Sequence, residues 1–208
     1  MNHACSMDVR RSMQAGRRSA QGAGVVERLA LESTRLRLRN WHDEDLDPLV
    51  RLCADPEVMR YNPARWSRDD CAALMVRSRL HLLRNGFGLW ALERKDNGAF
   101  IGYCGLVWSA LPLPNAVAEL RWAVACEHWG QGLVREAAQT ALKCAFGALG
   151  LDEVVACVSQ INEPGRQLLE GLGMRPEPAT TFGHPDVSPE HPLHSQVLHR
   201  LRRDDWRQ

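Results

Sequence analysis

Lysine is almost missing from this 208-residue chain. Of its 26 basic residues only Lys95 and Lys143 are lysines, and arginine supplies the other 24, a bias of composition rather than a mechanism. Net charge is nearly missing too. Twenty-six basic against 25 acidic residues leave +1, which excludes a whole-molecule attraction to nucleic acid or to an anionic membrane. No stretch approaches the ~18 uninterrupted apolar residues of a membrane span. The seven cysteines (Cys5, Cys53, Cys71, Cys104, Cys126, Cys144, Cys157) include no C-x-x-C pair, so neither a zinc site nor a thioredoxin-like motif is signalled. They are scattered and odd in number, and several sit in apolar runs where a thiol packs as a small hydrophobe. Reduced thiols and a cytoplasmic location are the expectation. Residues 1–30 lack an apolar signal-peptide core, and no internal repeat is visible.

What is present is ordinary globular composition, 45% hydrophobic and 25% charged. That length buries a core without disulfide or metal support. The first 30 residues are rich in Arg, Ser, Ala and Gly and poor in acids. They resemble an organelle transit peptide, but a disordered tail, or a start upstream of Met7 or Met13, is preferred. One domain is therefore expected over residues 31–208.

The alternation of Thr34-Arg35-Leu36-Arg37-Leu38-Arg39 reads as a half-buried strand. Asp43-Glu44-Asp45 before Leu46, Leu49, Val50 and Cys53 reads as an acid-headed helix. Ser67 and Asp70 form a capping box for a second helix running to about Arg84. Its Leu74, Val76, Leu80 and Leu83 only partly share one face. Strands follow over Phe87–Glu93, Phe100–Trp108 and Val117–Ala125, the first two joined by an Asp96-Asn97-Gly98 hairpin turn. Gln131–Leu149 is the most periodic helix, ended by Gly150, with Val134, Ala138, Ala141, Ala145 and Leu149 on one stripe. Val154–Val158 reads as a buried strand, Glu163–Leu172 as a helix closed by Gly173, Pro176–Pro192 as a Pro- and His-rich loop, and Ser195–Leu201 as a last strand. The order predicts an α+β fold whose mixed, mostly antiparallel sheet has a late parallel crossover.

The informative segment is the strand–turn–helix from Glu119 through Val124, Trp129, Gly130, Gln131, Gly132, Leu133, Val134 and Arg135. The first amides of the helix have no partner within it and, with the helix dipole, suit an anion. Glycines at 130 and 132 let a phosphate approach the main chain, and Arg135 offers charge-assisted bonds. A plain strand-to-helix connection would show the same pair of glycines. A dinucleotide fold wants a third glycine where Arg135 stands, and parallel strands first. A Walker loop's G-K-[ST] is absent.

Trp129-Gly130-Gln131-Gly132-Leu133-Val134 resembles the acetyl-CoA loop, Q/R-x-x-G-x-G/A, of the GNAT N-acetyltransferase superfamily. The tryptophan is similar to the W-G-x-G-[YL]-A-x-E-A variant of the branch containing ribosomal-protein N-terminal acetyltransferases (RimJ/RimL type), from which Val134 departs. Asn162-Glu163-Pro164-Gly165-Arg166-Gln167-Leu168-Leu169-Glu170-Gly171-Leu172-Gly173-Met174 resembles the family's N-x-x-S-x-x-[LV]-[LY]-E-K-x-G-F. It matches at Asn162, Leu168, Glu170 and Gly173 and departs at Gly165, Gly171 and Met174. The opening strand is similar to that branch's T-x-R-L-x-L-R start.

The resemblance implies a GNAT fold, its central sheet flanked by helices, and direct transfer of acetyl from acetyl-CoA, as cosubstrate, to a primary amine without a metal. An amine must lose its proton before it attacks. Glu119 matches the family's general base, though an arginine-paired strand-face residue would look the same. Val124 corresponds to the backbone oxyanion donor. Asn162 corresponds to the residue that bonds the pantetheine arm, but a helix cap needs the same amide. The family's usual thiolate-protonating Tyr and Ser are replaced by Leu169 and Gly165. That loss keeps open an alternative, a catalytically weak acyl-CoA-binding sensor or interaction module. The expected partner is an amine acceptor, a protein N-terminus or a small amine, with no nucleic acid and no membrane. A homodimer is left open. His184, His191, His194 and His199 are expected in a loop bordering the acceptor pocket rather than at a metal.

Overall fold

A computed structural model describes residues 30–184 and 187–207. The expected tail, Ala30 apart, lies outside the described residues. Among the described residues, eight strands form one sheet in the order β1-β2-β3-β4-β5-β6-β8-β7. They are β1 (Leu31–Glu32), β2 (Leu36–Arg39), β3 (Leu89–Arg94), β4 (Phe100–Trp108), β5 (Ala118–Val124), β6 (Glu153–Ser159), β7 (Arg175–Gly183) and β8 (Ser195–Arg202). The helices are α1 (Leu46–Ala54), α2 (Arg68–Asn85), α3 (Leu133–Phe146) and α4 (Glu163–Gly171). Every neighbouring pair is antiparallel except β5–β6, which α3 joins by a crossover. The fold is the mixed α+β, mostly antiparallel sheet flanked by helices that the pattern predicts.

Both sheet faces are covered. Ala137, Ala138, Ala141, Leu142 and Ala145 of α3 are fully buried against Leu106, Leu120, Val154 and Ala156. Four alanines on that stripe let the helix lie close to the sheet. The other face packs Leu89 and Ala91 under Trp41, Leu49, Leu52, Cys53, Cys71, Leu74 and Met75. A third, smaller cluster joins Val117, Val155 and Leu198 to Leu111, Leu113 and Phe182.

Local chemistry explains the boundaries. The Ser67 hydroxyl accepts from the Asp70 N–H at 3.2 Å, and the Asp70 carboxylate accepts from the Ser67 N–H at 2.9 Å, closing the predicted capping box. The acids at 43–45 form a separate 3-10 turn before α1. Asp45 turns inward there, accepting two bonds from the Arg39 guanidinium at 2.7 and 2.8 Å. Helix α3 is shorter than its pattern. It stops at Phe146, because Leu149 N–H reaches back to Cys144 O and Leu151 N–H to Ala145 O, so the chain turns before Gly150.

The largest correction is β7. The expected loop from Pro176 contains a strand to Gly183, paired with β8. A proline cannot donate to a ladder, but β7 is the sheet's outer strand, and its register shifts between Pro176 and Thr181. Edge position and irregular pairing together tolerate the residues that mask the strand in the sequence.

Candidate functional site

The parallel partners β5 and β6 touch at only two positions, Ala118 opposite Val154 and Glu119 opposite Val155. Beyond them β6 pairs with β8 alone and β5 with β4 alone, so a crevice opens toward the end of β5. The ladder's alternation decides what faces it. Ala125 N–H donates to Ile101 O at 3.0 Å, which makes Gly102 and Val124 a non-hydrogen-bonded pair. The main-chain N–H and C=O of Val124 therefore point away from β4, toward the crevice. The carbonyl is already engaged there by the Trp129 indole N–H at 2.8 Å. The Val124 N–H thus points into the crevice, while its side chain is buried.

The glycine turn sits at the crevice mouth. Gly130 and Gly132 adopt φ of +71° and +74°, the left-handed region that favours glycine. A Cβ built on Gly130 would meet nothing within 4 Å, so open space lies beside the main chain. Gly132 is the N-cap of α3, and Leu133 and Val134 present only their amides, since Leu133 is buried and Val134 packs on the core. The start of a fourteen-residue helix behind two left-handed glycines suits a diphosphate. Gln131 serves the turn itself, its side-chain amide donating to Glu127 O at 2.9 Å. Arg135 holds α4 instead, donating to Gly171 O at 2.7 Å.

Two bracing residues escape a reading of the turn alone. Arg35 donates through Nη1 to Gln131 O at 2.9 Å and through Nε to Glu136 at 2.7 Å. Glu136 also accepts from the Ser33 hydroxyl and the Arg35 N–H, each at 2.7 Å. The turn is thus tied to the link between β1 and β2. Burial raises the Glu136 pKa, but the Ser33 hydroxyl and Arg35 outweigh it and hold the carboxyl below its usual value. Both residues stand in the recognised motifs, the arginine of the opening strand and the glutamate of W-G-x-G-[YL]-A-x-E-A, so their spacing carried the signal without the contact.

Asn162 divides its amide. Its Oδ1 caps α4 by accepting from Gly165 N–H at 3.0 Å, which leaves the Nδ2 end to donate elsewhere. A Cβ on Gly165 would come within 2.7 Å of that same side chain. Leu169 is fully buried core.

Glu119 is not brought beside Val124. Five residues of extended strand separate them, about 16 Å, and they lie on opposite sheet faces. The Glu119 carboxylate is 5% exposed. It accepts from Arg121 Nε at 2.9 Å, Arg121 Nη2 at 3.1 Å and Ser109 Oγ at 2.9 Å. A carboxylate has about four lone-pair sites, so one remains on Oε1. Arg121, about half exposed, faces solvent beyond it.

Cys126, two residues beyond the end of β5, donates its thiol to Asp55 Oδ2 at 2.8 Å. That bond, with burial and the carboxylate's charge, pushes the thiol up to about 11. Burial carries Cys157 to about 12. Neither is poised as a thiolate nucleophile at neutral pH.

The histidines separate. His184 and His194 meet across the β7–β8 turn, with His184 N–H on His194 O at 2.8 Å, and His191 Nδ1 accepts from Leu193 N–H. His199 lies instead inside β8, opposite Ala156 and fully buried, a correction to its placement in the loop. Its Nε2 finds no partner. Burial lowers its pKa below 6.5, Arg166 adds to that, and the Val197 carbonyl and Glu170 oppose it. Its neutral form favours folding, so that contribution is complete above the unfolded pKa and is lost as pH falls through the folded one. Acidifying from about pH 7.5 to about pH 5 should lower Tm more steeply for this chain than for His199→Leu. Equal slopes in a calorimetric series would dismiss the effect. Among the described residues, no group of three His, Cys, Asp or Glu side chains is placed to hold a metal.

Comparison with known proteins points the same way. Residues 35–175 match the acetyltransferase (GNAT) domain family. A Bacillus subtilis (strain 168) relative, uncharacterized N-acetyltransferase YoaA, is 30% identical over 149 residues, covering 71% of this chain and 83% of its own. A spermidine N-acetyltransferase from Vibrio cholerae, solved with CoA and spermine, superposes with a TM-score of 0.65 at 20% identity, over 83% of this chain and 98% of that one. A ribosomal alpha-N-protein acetyltransferase solved with coenzyme A reaches 0.67 at 14% identity, over 83% and 97%.

Proposed function

Because this chain belongs to the acetyltransferase (GNAT) domain family, we propose that it transfers acetyl from acetyl-CoA directly to the nitrogen of a primary amine. The observation that carries this reading is the braced turn at Gly130 and Gly132, opening onto a crevice into which Val124 N–H points. The first amides of α3 hold the diphosphate, and the free end of the Asn162 amide reaches the pantetheine arm. The crevice edge of β5 takes the arm as a further strand-like partner, because its main-chain groups have lost β6.

In the reaction the amine nitrogen attacks the thioester carbonyl carbon, and Val124 N–H stabilises the oxyanion. Such a donor contributes roughly 3 kcal/mol to barrier lowering. The C–S bond then breaks, and the departing thiolate takes its proton from water, since Leu169 and Gly165 offer none. Glu119 receives the amine's proton at its remaining Oε1 site. Its distance from Val124 requires that this proton cross bridging water. The protonated thiols of Cys126 and Cys157 favour direct attack over an acyl-cysteine intermediate.

The proposed acceptor is a protein N-terminal α-amine, on the W-G-x-G motif of the RimJ/RimL-type branch. The two solved relatives act on a polyamine and on a protein, so one architecture serves both acceptor classes. The protein is proposed to work in the cytoplasm. A thiol-release assay across N-terminal peptides, polyamines and amino acids tests the reading. The expected result is CoA release with peptides and acetyl found on their α-nitrogen. Binding of acetyl-CoA with no release for any amine would favour the sensor module instead.

A further inference from the structure

Helix α2 carries two apolar faces. Cys71, Leu74, Met75, Ser78 and Leu82 are buried beneath it. On the opposite side Val76, Leu80 and Leu83 stand 53%, 42% and 54% exposed. Only Leu74 of the four apolar residues the sequence places loosely together is therefore core. With half-buried Ala73 the exposed residues recur at steps of three, four and three, the spacing of a helix–helix seam rather than of scattered surface residues. A contiguous row of large aliphatic side chains marks an interaction surface.

We propose that this face joins two copies of the chain through an antiparallel α2–α2 contact. The charges along one flank select that occupant. Asp70, Arg77 and Arg84 are exposed and recur every seven residues, acid near the helix start and base near its end. Lay Val76 against the partner subunit's Leu80, and Ala73 meets the partner subunit's Leu83. Asp70 then faces the partner subunit's Arg84, and the symmetric pair forms at the other end. Arg77 meets the partner subunit's Arg77 at the two-fold axis. A parallel pair would set this flank against the partner subunit's Ala72 and Arg79, which offer Arg77 and Arg84 no acid. The antiparallel arrangement leaves one like-charge contact and gains two attractive ones. Asp70 commits Oδ2 to the Ser67 cap and still reaches solvent, so capping and pairing are compatible. The surface is separate from the acetyl-transfer crevice, and the proposal does not depend on that reading.

Sedimentation of the full chain should give a mass near twice 23.4 kDa. Leu80→Glu puts a carboxylate from each copy into the seam and should halve the mass, with the circular dichroism spectrum kept because position 80 already meets solvent. Arg77→Glu leaves the seam intact and supplies a second test. Mixed with the unaltered chain, it should form the mixed dimer above its statistical share, since opposite charges then meet on the axis. A monomeric parent chain, a dimer that survives Leu80→Glu, or random mixing of Arg77→Glu would each overturn the proposal. A parent chain that is monomeric yet captures an unrelated helix through this face belongs to the same negative result.

Discussion

Gly132→Val should weaken acetyl-CoA binding by about 100-fold or more while leaving a folded protein. Gly132 holds φ of +74°, where a β-branched residue costs roughly 1–3 kcal/mol. Relaxing that strain moves the first amides of α3 off their aim. Each charge-assisted bond lost to a phosphate removes about 1.5–3 kcal/mol more. Every 1.4 kcal/mol is about a tenfold change in Kd, so the loss of two such bonds exceeds about 100-fold. The position is exposed, so the core beneath α3 is untouched. Trp129, half exposed beside the turn, offers a fluorescence readout for titration. Gly132→Ala should lie between the two, since it keeps the strain with less bulk. An unchanged Kd for the valine variant, with its helix intact by circular dichroism, would remove the turn from ligand binding and with it the proposed reaction.

Glu119→Gln should lower kcat/KM by about 100-fold, the lower end of the range for general acid–base catalysis, because its proton must cross water. The acetyl-CoA Kd should stay unchanged, because Glu119 lies on the opposite sheet face from Val124. The Arg121 ion pair provides the control. Arg121→Gln breaks the same pair but keeps the carboxylate. If Glu119 acts as a base, the Glu119 variant loses far more turnover than the Arg121 variant. If the pair only shapes the sheet face, the two variants fall together.

Much of the architecture was legible because its signals are local. The Ser67–Asp70 box, the alternation of β5 and the alanine stripe of α3 each express one periodicity or one cap. Strand β7 was illegible because Pro176 and Pro178 argue against a strand, and only its place at the sheet's edge makes them harmless. The exposed row on α2 showed in sequence only as apolar residues partly sharing one face, because periodicity reports that a helix has an apolar side, not which body covers it. His199 was grouped with the loop histidines although the strand expected over Ser195–Leu201 contains it, and its neighbours in space are Ala156 and Pro176.

The site divides along the same line. Residue order was enough to identify the two glycines, the helix they start and the asparagine that opens α4, because each is a short-range requirement of backbone conformation. Contacts between distant segments required the folded chain. Arg35 reaches a turn 96 residues away, Asn162 spends one end of its amide on a cap, and Glu119 is bound by Arg121 and Ser109. Backbone preference acts over a few residues, whereas a hydrogen-bond partner across the sheet is chosen by packing, which no local pattern encodes.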